Sequence, residues 1–225
     1  MKAPKAESKP RELVPEGNHV ARLYGITYLG TLETPYLKDP DQPELGNKKQ
    51  FRVRLNWELP NELRTFEKDG EERELPMSLS REVTFSLYKG KQTAVLRTIA
   101  HALIGQGLTD EEADNFDIDE LLGMACMVEV AHETIEANGR IFAKAVGFGS
   151  LPKGMDVPAP INERKIHNVQ LMSESEIDAM PEFIRDKMKS SVEYQSRNTE
   201  PVIEGTDVDG ASTFADEIDP KNIPF

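Results

Sequence analysis

The 225-residue sequence predicts a mainly β protein built on a small five-stranded barrel, with one helix between strands three and four. Three features predict it. Three early stretches alternate apolar and polar side chains at the period of a strand, a fourth switches to the period of a helix, and a late Asn138-Gly139 pair joins two further strand-like runs. A helical appendage and an acidic tail are expected beyond the barrel.

Met1 to Pro15, rich in Lys, Pro and Glu, reads as a disordered arm. His19 to Thr31 is the first strand: Val20, Arg22, Tyr24, Ile26 and Tyr28 fall on one face, Ala21, Leu23, Gly25, Thr27 and Leu29 on the other. Gly25 in mid-run hints at a bend or bulge. After a Pro-rich loop, Lys48 to Pro60 alternates cleanly, with Phe51, Val53, Leu55 and Trp57 on a core face and Gln50, Arg52, Arg54 and Asn56 on the other. Asn61 to Pro76 is charged and carries the turn signal Asp69-Gly70, so the third strand is expected at Arg81 to Tyr88. In Lys91 to Leu108, Val95, Ile99, Ala102 and Leu103 lie at helical spacing, stopped by Gly105 and Gly107. Thr109 with Glu112, and Asp117 with Glu120, have capping-box spacing. Strands four and five flank the Asn138-Gly139 turn.

This β-β-β-α-β-β order is that of the OB fold; an open α+β sheet with one helix shares the element list, and closure of strand one onto a later strand would separate the two. Pro152, Pro158 and Pro160 mark a linker. Ser173 to Tyr194 follows, with a Ser173/Glu176 capping box, Pro181 suited to a helix first turn and an apolar stripe of Phe183, Ile184, Met188 and Val192. The expected organisation is an arm over 1–16, a barrel domain over 17–155, linker and helices over 156–194, and a disordered acidic tail over 195–225.

The formal net charge is −13, which argues against nucleic acid as a partner only if the charge is evenly spread. From Glu200 onward seven acids face one Lys221, so the tail carries nearly half the imbalance. No apolar run is long enough to span a bilayer, and Met1 to Leu13 has no apolar core or cleavage signature, so a cytoplasmic location is expected. Cys126, the one cysteine, stands among apolar neighbours and reads as a packing residue.

Catalytic constellations are not apparent. His19, His101, His132 and His167 occur singly, and Asp110 to Glu120, the densest carboxylate cluster, lacks the glycine and ligand intervals of a cation loop. Acids at two helix N-termini explain that cluster, so no enzymatic activity, metal or cofactor is expected. A metal-dependent nuclease built on those acids is the competing view.

Single-stranded nucleic acid is held by a cationic groove and stacking rings, neither of which needs a fixed motif. Lys48, Gln50, Arg52 and Arg54 supply one such strip; Arg22, Tyr24 and Tyr28 share a face of the first strand; and Tyr36, Arg81, Tyr88, Lys89 and Lys91 lie where an OB barrel would present them. The plain alternative is a solvated strand face, with Tyr24 or Tyr28 as core rings, since Ile26 shares their side.

Several stretches are similar to the single-stranded DNA-binding proteins of tailed bacteriophages: PEGNHVARLYGITYLGT, VRLNWELPNEL, DELLGMACMVEV, GFGSLPKG and PEFIRDKMKSSVEY, together covering roughly Val14 to Tyr194. The resemblance implies an OB barrel that coats single strands in replication and recombination, inside an infected bacterium. The chain end resembles that of bacterial single-stranded DNA-binding proteins, in which an acidic run closes on Ile-Pro-Phe. Asp216, Glu217, Asp219, Ile223, Pro224 and Phe225 match that arrangement, and the resemblance implies recruitment of replication or recombination proteins through the tip. Pro220-Lys221-Asn222 departs from it by interrupting the acids. The other class of function is an acidic interaction protein, a DNA mimic or virion component, that uses the barrel as a scaffold.

Overall fold

A computed structural model describes residues 12–34, 48–68, 71–136 and 139–197. Tyr36, the Asp69-Gly70 turn, Asn138, most of the expected arm and the tail beyond residue 197 lie outside the described residues. The elements are β1 (Gly17–Thr34), β2 (Lys48–Lys68), β3 (Glu71–Thr84), α1 (Val95–Ile104), α2 (Asp110–Asp114), a 3-10 helix (Ile118–Leu121), β4 (Ala125–Ile135), β5 (Arg140–Gly149), β6 (Lys165–Asn168), α3 (Glu174–Asp178), α4 (Glu182–Lys189) and α5 (Val192–Arg197).

The fold is mainly β, a curled antiparallel sheet in the order β3-β2-β1-β4-β5 with a few short helices. β1 is the hub: it pairs with β2 along Arg22 to Thr34, with β4 along Gly17 to Arg22, and in parallel with β6 along Gly25 to Tyr28. Its edge is thus divided between β4 and β6. The sheet's two end strands approach each other where Arg81 of β3 donates to the Ala145 carbonyl of β5 at 2.6 Å and lies 5.5 Å from the Phe148 ring centroid. Phe148 in turn packs on Trp57, ring centroids 5.4 Å apart. α1 packs against β3, β4 and β5.

Two apolar clusters result. The sheet's inner face, α1 and the 3-10 helix bury Leu23, Ile26, Leu55, Trp57, Leu96, Ile99 and Leu121 in the main core, together with Cys126, whose thiol burial pushes up to about 12. Each such side chain contributes about 1.5–3 kcal/mol relative to exposure. The second cluster, on the outer face of β1, joins Leu29 and Leu32 to Val169, Ile177, Ile184, Met188 and Tyr194, and so docks α3 to α5 on the sheet. Gly30 permits that docking: its φ is +90°, and a Cβ there would stand 2.7 Å from Cβ of Ser191.

Four expectations need correction. Tyr24 and Tyr28 are on opposite faces of β1, because the ladder with β2 slips between Leu23 and Gly25 and makes Tyr24 an extra residue. Leu23 and Ile26, three apart, therefore both reach the main core, and Tyr28 follows them inward. β3 begins at Glu71 rather than Arg81 and ends at Thr84. The expected charged loop is a ribbon: beyond a slip between Leu59 and Leu63, Leu63 to Lys68 pair with Glu71 to Pro76, and Leu63 and Leu75 are exposed. The segment read as linker contains β6. The C-terminal segment forms three short helices, with the Ser173/Glu176 capping box present and Pro181 at the N-cap of α4. Among the described residues no helix is long and apolar enough to cross a membrane.

Candidate nucleic-acid interface

The outer face of β2 and β3 follows from strand alternation. Phe51, Val53, Leu55 and Trp57 turn inward, so Gln50, Arg52 and Arg54 turn outward, facing the outer side chains of Ser80, Glu82 and Thr84 on β3. Thr84 donates to Gln50 Oε1 at 3.1 Å, and Arg52 donates to Thr84 Oγ1 at 3.0 Å and to Glu82 Oε1 at 3.3 Å. Lys187 of α4 reaches the other Glu82 oxygen. Glu82 is thereby paired with two cations.

After Thr84 the chain turns through a short pinned loop. Ala94 N–H donates to the Tyr88 carbonyl at 3.0 Å, Lys89 and Thr93 form a bridge, and Arg97 donates to the Leu87 carbonyl at 3.2 Å from the first turn of α1. The Tyr88 ring folds over Gly90, where a Cβ would stand 2.5 Å from the ring, yet Tyr88 is 72% exposed. An open groove of about 580 Å³ runs between this loop and the strands, lined by Lys48, Gln50, Arg52, Arg81, Thr84 and Tyr88 among others.

The groove's charge opposes that of the whole chain. Lys48, Arg52 and Arg81 line the groove with the single carboxylate Glu82, and Lys89 and Lys91 are exposed on the adjoining loop. A local field of that sign attracts phosphates even on a protein of net charge −13.

The sequence-predicted residues divide into four groups. Lys48, Gln50, Arg52, Arg81 and Tyr88 meet in the groove, and Lys89 and Lys91 are exposed on the loop beside Tyr88. Arg54 and Tyr24 sit next to it on the outer face; burial lowers the Arg54 pKa against the opposing pull of Glu82 and Tyr24, and burial raises the Tyr24 pKa. Arg22 and Tyr28 are elsewhere. Arg22 donates to the Pro158 carbonyl and lies 3.8 Å from fully buried Glu58, which accepts from Asn162 N at 2.8 Å. Tyr28 is in the core against Phe51 and Phe85, its hydroxyl donating to Asp119 at 2.7 Å, and burial with that contact pushes its pKa far up. Tyr36 and the tail residues Asp216, Glu217, Asp219, Ile223, Pro224 and Phe225 lie outside the described residues.

The acidic stretch from Asp110 to Glu120 has structural partners. Thr109 and Glu112 form a full capping box, Asp110 lies 2.8 Å from Arg97, and Asp119 holds Tyr28. Among the described residues no group of three His, Cys, Asp or Glu side chains is arranged to hold a metal ion.

Sequence reasoning missed two neighbours of the strip, Phe183 and Lys187 on α4. Phe183, a member of the expected apolar stripe, is 52% exposed while Ile184 and Met188 are buried. Ile184 and Met188, four apart, turn to the second cluster, and Phe183 lies about 100° round the helix from Ile184, at the edge of that face. Comparison with protein-family models, curated proteins and solved structures gives no match.

Proposed function

We propose that the protein binds single-stranded DNA with little sequence preference, coating it during phage-type replication and recombination, and recruits partner proteins through its acidic C-terminal tail. The observation that carries this is the groove, where Lys48, Gln50, Arg52, Arg81 and Tyr88 converge and three cations line the walls with one carboxylate, Glu82. A positive channel with an exposed ring is what a strand of phosphates and unstacked bases requires.

Two further features support the proposal. β1 pairs with both β2 and β4 while β3 leans on β5, the neighbour relations of a five-stranded OB-type barrel, and that fold holds single strands on the face of its second and third strands. The similarity of the sequence to phage single-stranded DNA-binding proteins, with the Ile223-Pro224-Phe225 ending, points the same way. Binding and recruitment require no catalytic group.

A second reading, an acidic interaction protein that leaves DNA alone, is favoured by one observation. Arg52, Arg54 and Arg81 each already have partners within the molecule, in Glu82, Ser80 and the Ala145 carbonyl. Competition between labelled single-stranded and duplex oligonucleotides over a salt series, with and without residues 200–225, separates the two. Single-strand binding that wins over duplex, falls with salt at a log–log slope of about −0.7 per phosphate neutralised, and is lost on Lys48→Glu with Lys89→Glu supports coating. No binding at any salt concentration leaves the interaction protein standing.

A further inference from the structure

α4 brings an additional ring to the cationic strip. Phe183 and Lys187 are four residues apart and so share a side of the helix. On that side Lys187 reaches Glu82, and the Arg54 guanidinium lies 5.0 Å from the Phe183 ring centroid. Ile184 and Met188, on the adjoining side, are committed to the second cluster. Phe183 is therefore not needed as a core residue, and 52% of it remains exposed. A guanidinium against an aromatic ring fixes the ring's orientation while the exposed surface stays available for a planar partner.

Position along the strands sharpens this. Arg52 pairs with Thr84, so the chain beyond Thr84 runs toward Lys48 and puts Tyr88 at that end of the strip. Phe183 stands at the Arg54 end. Six residues of extended strand separate Lys48 from Arg54, about 20 Å. A ring thus flanks each end of a cationic strip long enough for several nucleotides.

The geometry points to Phe183 as a base-stacking residue of the single-strand site, backed by Arg54, with the bound strand running from Tyr88 across Arg52 to α4. This rests on the groove being a single-strand site. The chemistry recognised is the face of any unpaired base, so it adds affinity without sequence preference.

The full chain and its Phe183→Ala, Phe183→Leu and Phe183→Trp variants are titrated with an oligothymidylate and with an abasic oligonucleotide of equal length, with thermal midpoints checking the fold. Alanine and leucine are expected to weaken oligothymidylate binding on the order of tenfold, to leave abasic binding unchanged, and tryptophan to preserve both. Leucine binding as well as phenylalanine, or equal losses on the two oligonucleotides, overturns stacking by Phe183. Oligothymidylate binding that responds to Tyr88→Ala but to none of the Phe183 variants overturns the role of Phe183 alone. Failure of the unaltered chain to bind either oligonucleotide overturns the groove as a single-strand site, and this inference with it.

Discussion

Replacing Tyr88 by alanine separates stacking from charge in the groove. The side chain is 72% exposed and its ring rests mainly on Gly90. A tyrosine offers roughly 200 Å² for burial, so the covered part is on the order of 50 Å² and contributes about 1 kcal/mol to folding as an upper bound. A domain of ordinary stability keeps its fold after that loss. Loss of one stacked base costs about 1–3 kcal/mol of binding, roughly five- to 150-fold in Kd. Because no charge is removed, the log–log salt slope stays the same. Lys48→Ala is the mirror case: affinity drops at low salt and the slope shrinks by about 0.7, the loss converging on zero as salt rises. Fluorescence anisotropy of a labelled oligothymidylate across a salt series reads both quantities. Unchanged affinity in Tyr88→Ala, or a slope that moves with the ring and not with the lysine, would refute stacking at this loop.

Met188 is fully buried between the helices and β1, so Met188→Ala should cost about 2–5 kcal/mol, read as a lower urea midpoint; a loss under about 1 kcal/mol would mean that the second cluster is not a packed core. Burial, with Arg97 and Lys89 nearby, lowers the pKa of His101, whose Nε2 accepts from Leu108 N at 2.9 Å; burial, with Lys165, lowers that of His167. The unfolded chain then takes up these protons first, so their contribution to stability is complete above about pH 6.5 and is lost as pH falls below it. Thermal midpoints should decline from about pH 7 downward, and His101→Gln should flatten the decline; a slope indifferent to the substitution counts against this origin. Deleting Glu200 to Phe225 removes seven carboxylates and one lysine, and should tighten single-strand binding at low salt with the gain fading as salt screens it. Equal affinity at every salt concentration would refute the idea that the polyanionic tail competes with DNA for the cationic groove.

How much of this was legible depended on whether an element has one wet face. Phe51, Val53, Leu55 and Trp57 alternate cleanly because β2 there separates core from solvent, and the β4–β5 hairpin was legible from its turn. Beyond Leu59 the β2–β3 ribbon runs out past the core, where Leu63 and Leu75 are exposed and apolar side chains no longer mark an inner face. Gly25 signalled a bulge, but the consequence, that Gly25 to Tyr28 change face until a second slip between Tyr28 and Gly30 restores the phase, could be assigned only once both ladder slips were placed. The cationic strip was readable because its members sit close in sequence. Arg81 clamping β5, Arg22 tied to Pro158 and Phe183 against Arg54 are long-range pairings, and local pattern carries no record of them.

The shared edge of β1 makes the chain less divisible than its proline-rich stretch suggests. A truncation after residue 155, the natural place to cut from sequence, would strip β6 from Gly25 to Tyr28 and uncover Leu29 and Leu32. Such a fragment would carry unpaired backbone amides beside bare leucines, the combination that invites one molecule to add itself to another. What looks like an attachment, β6 with the helices after it, covers an edge and an apolar face of the sheet that the fragment would leave bare.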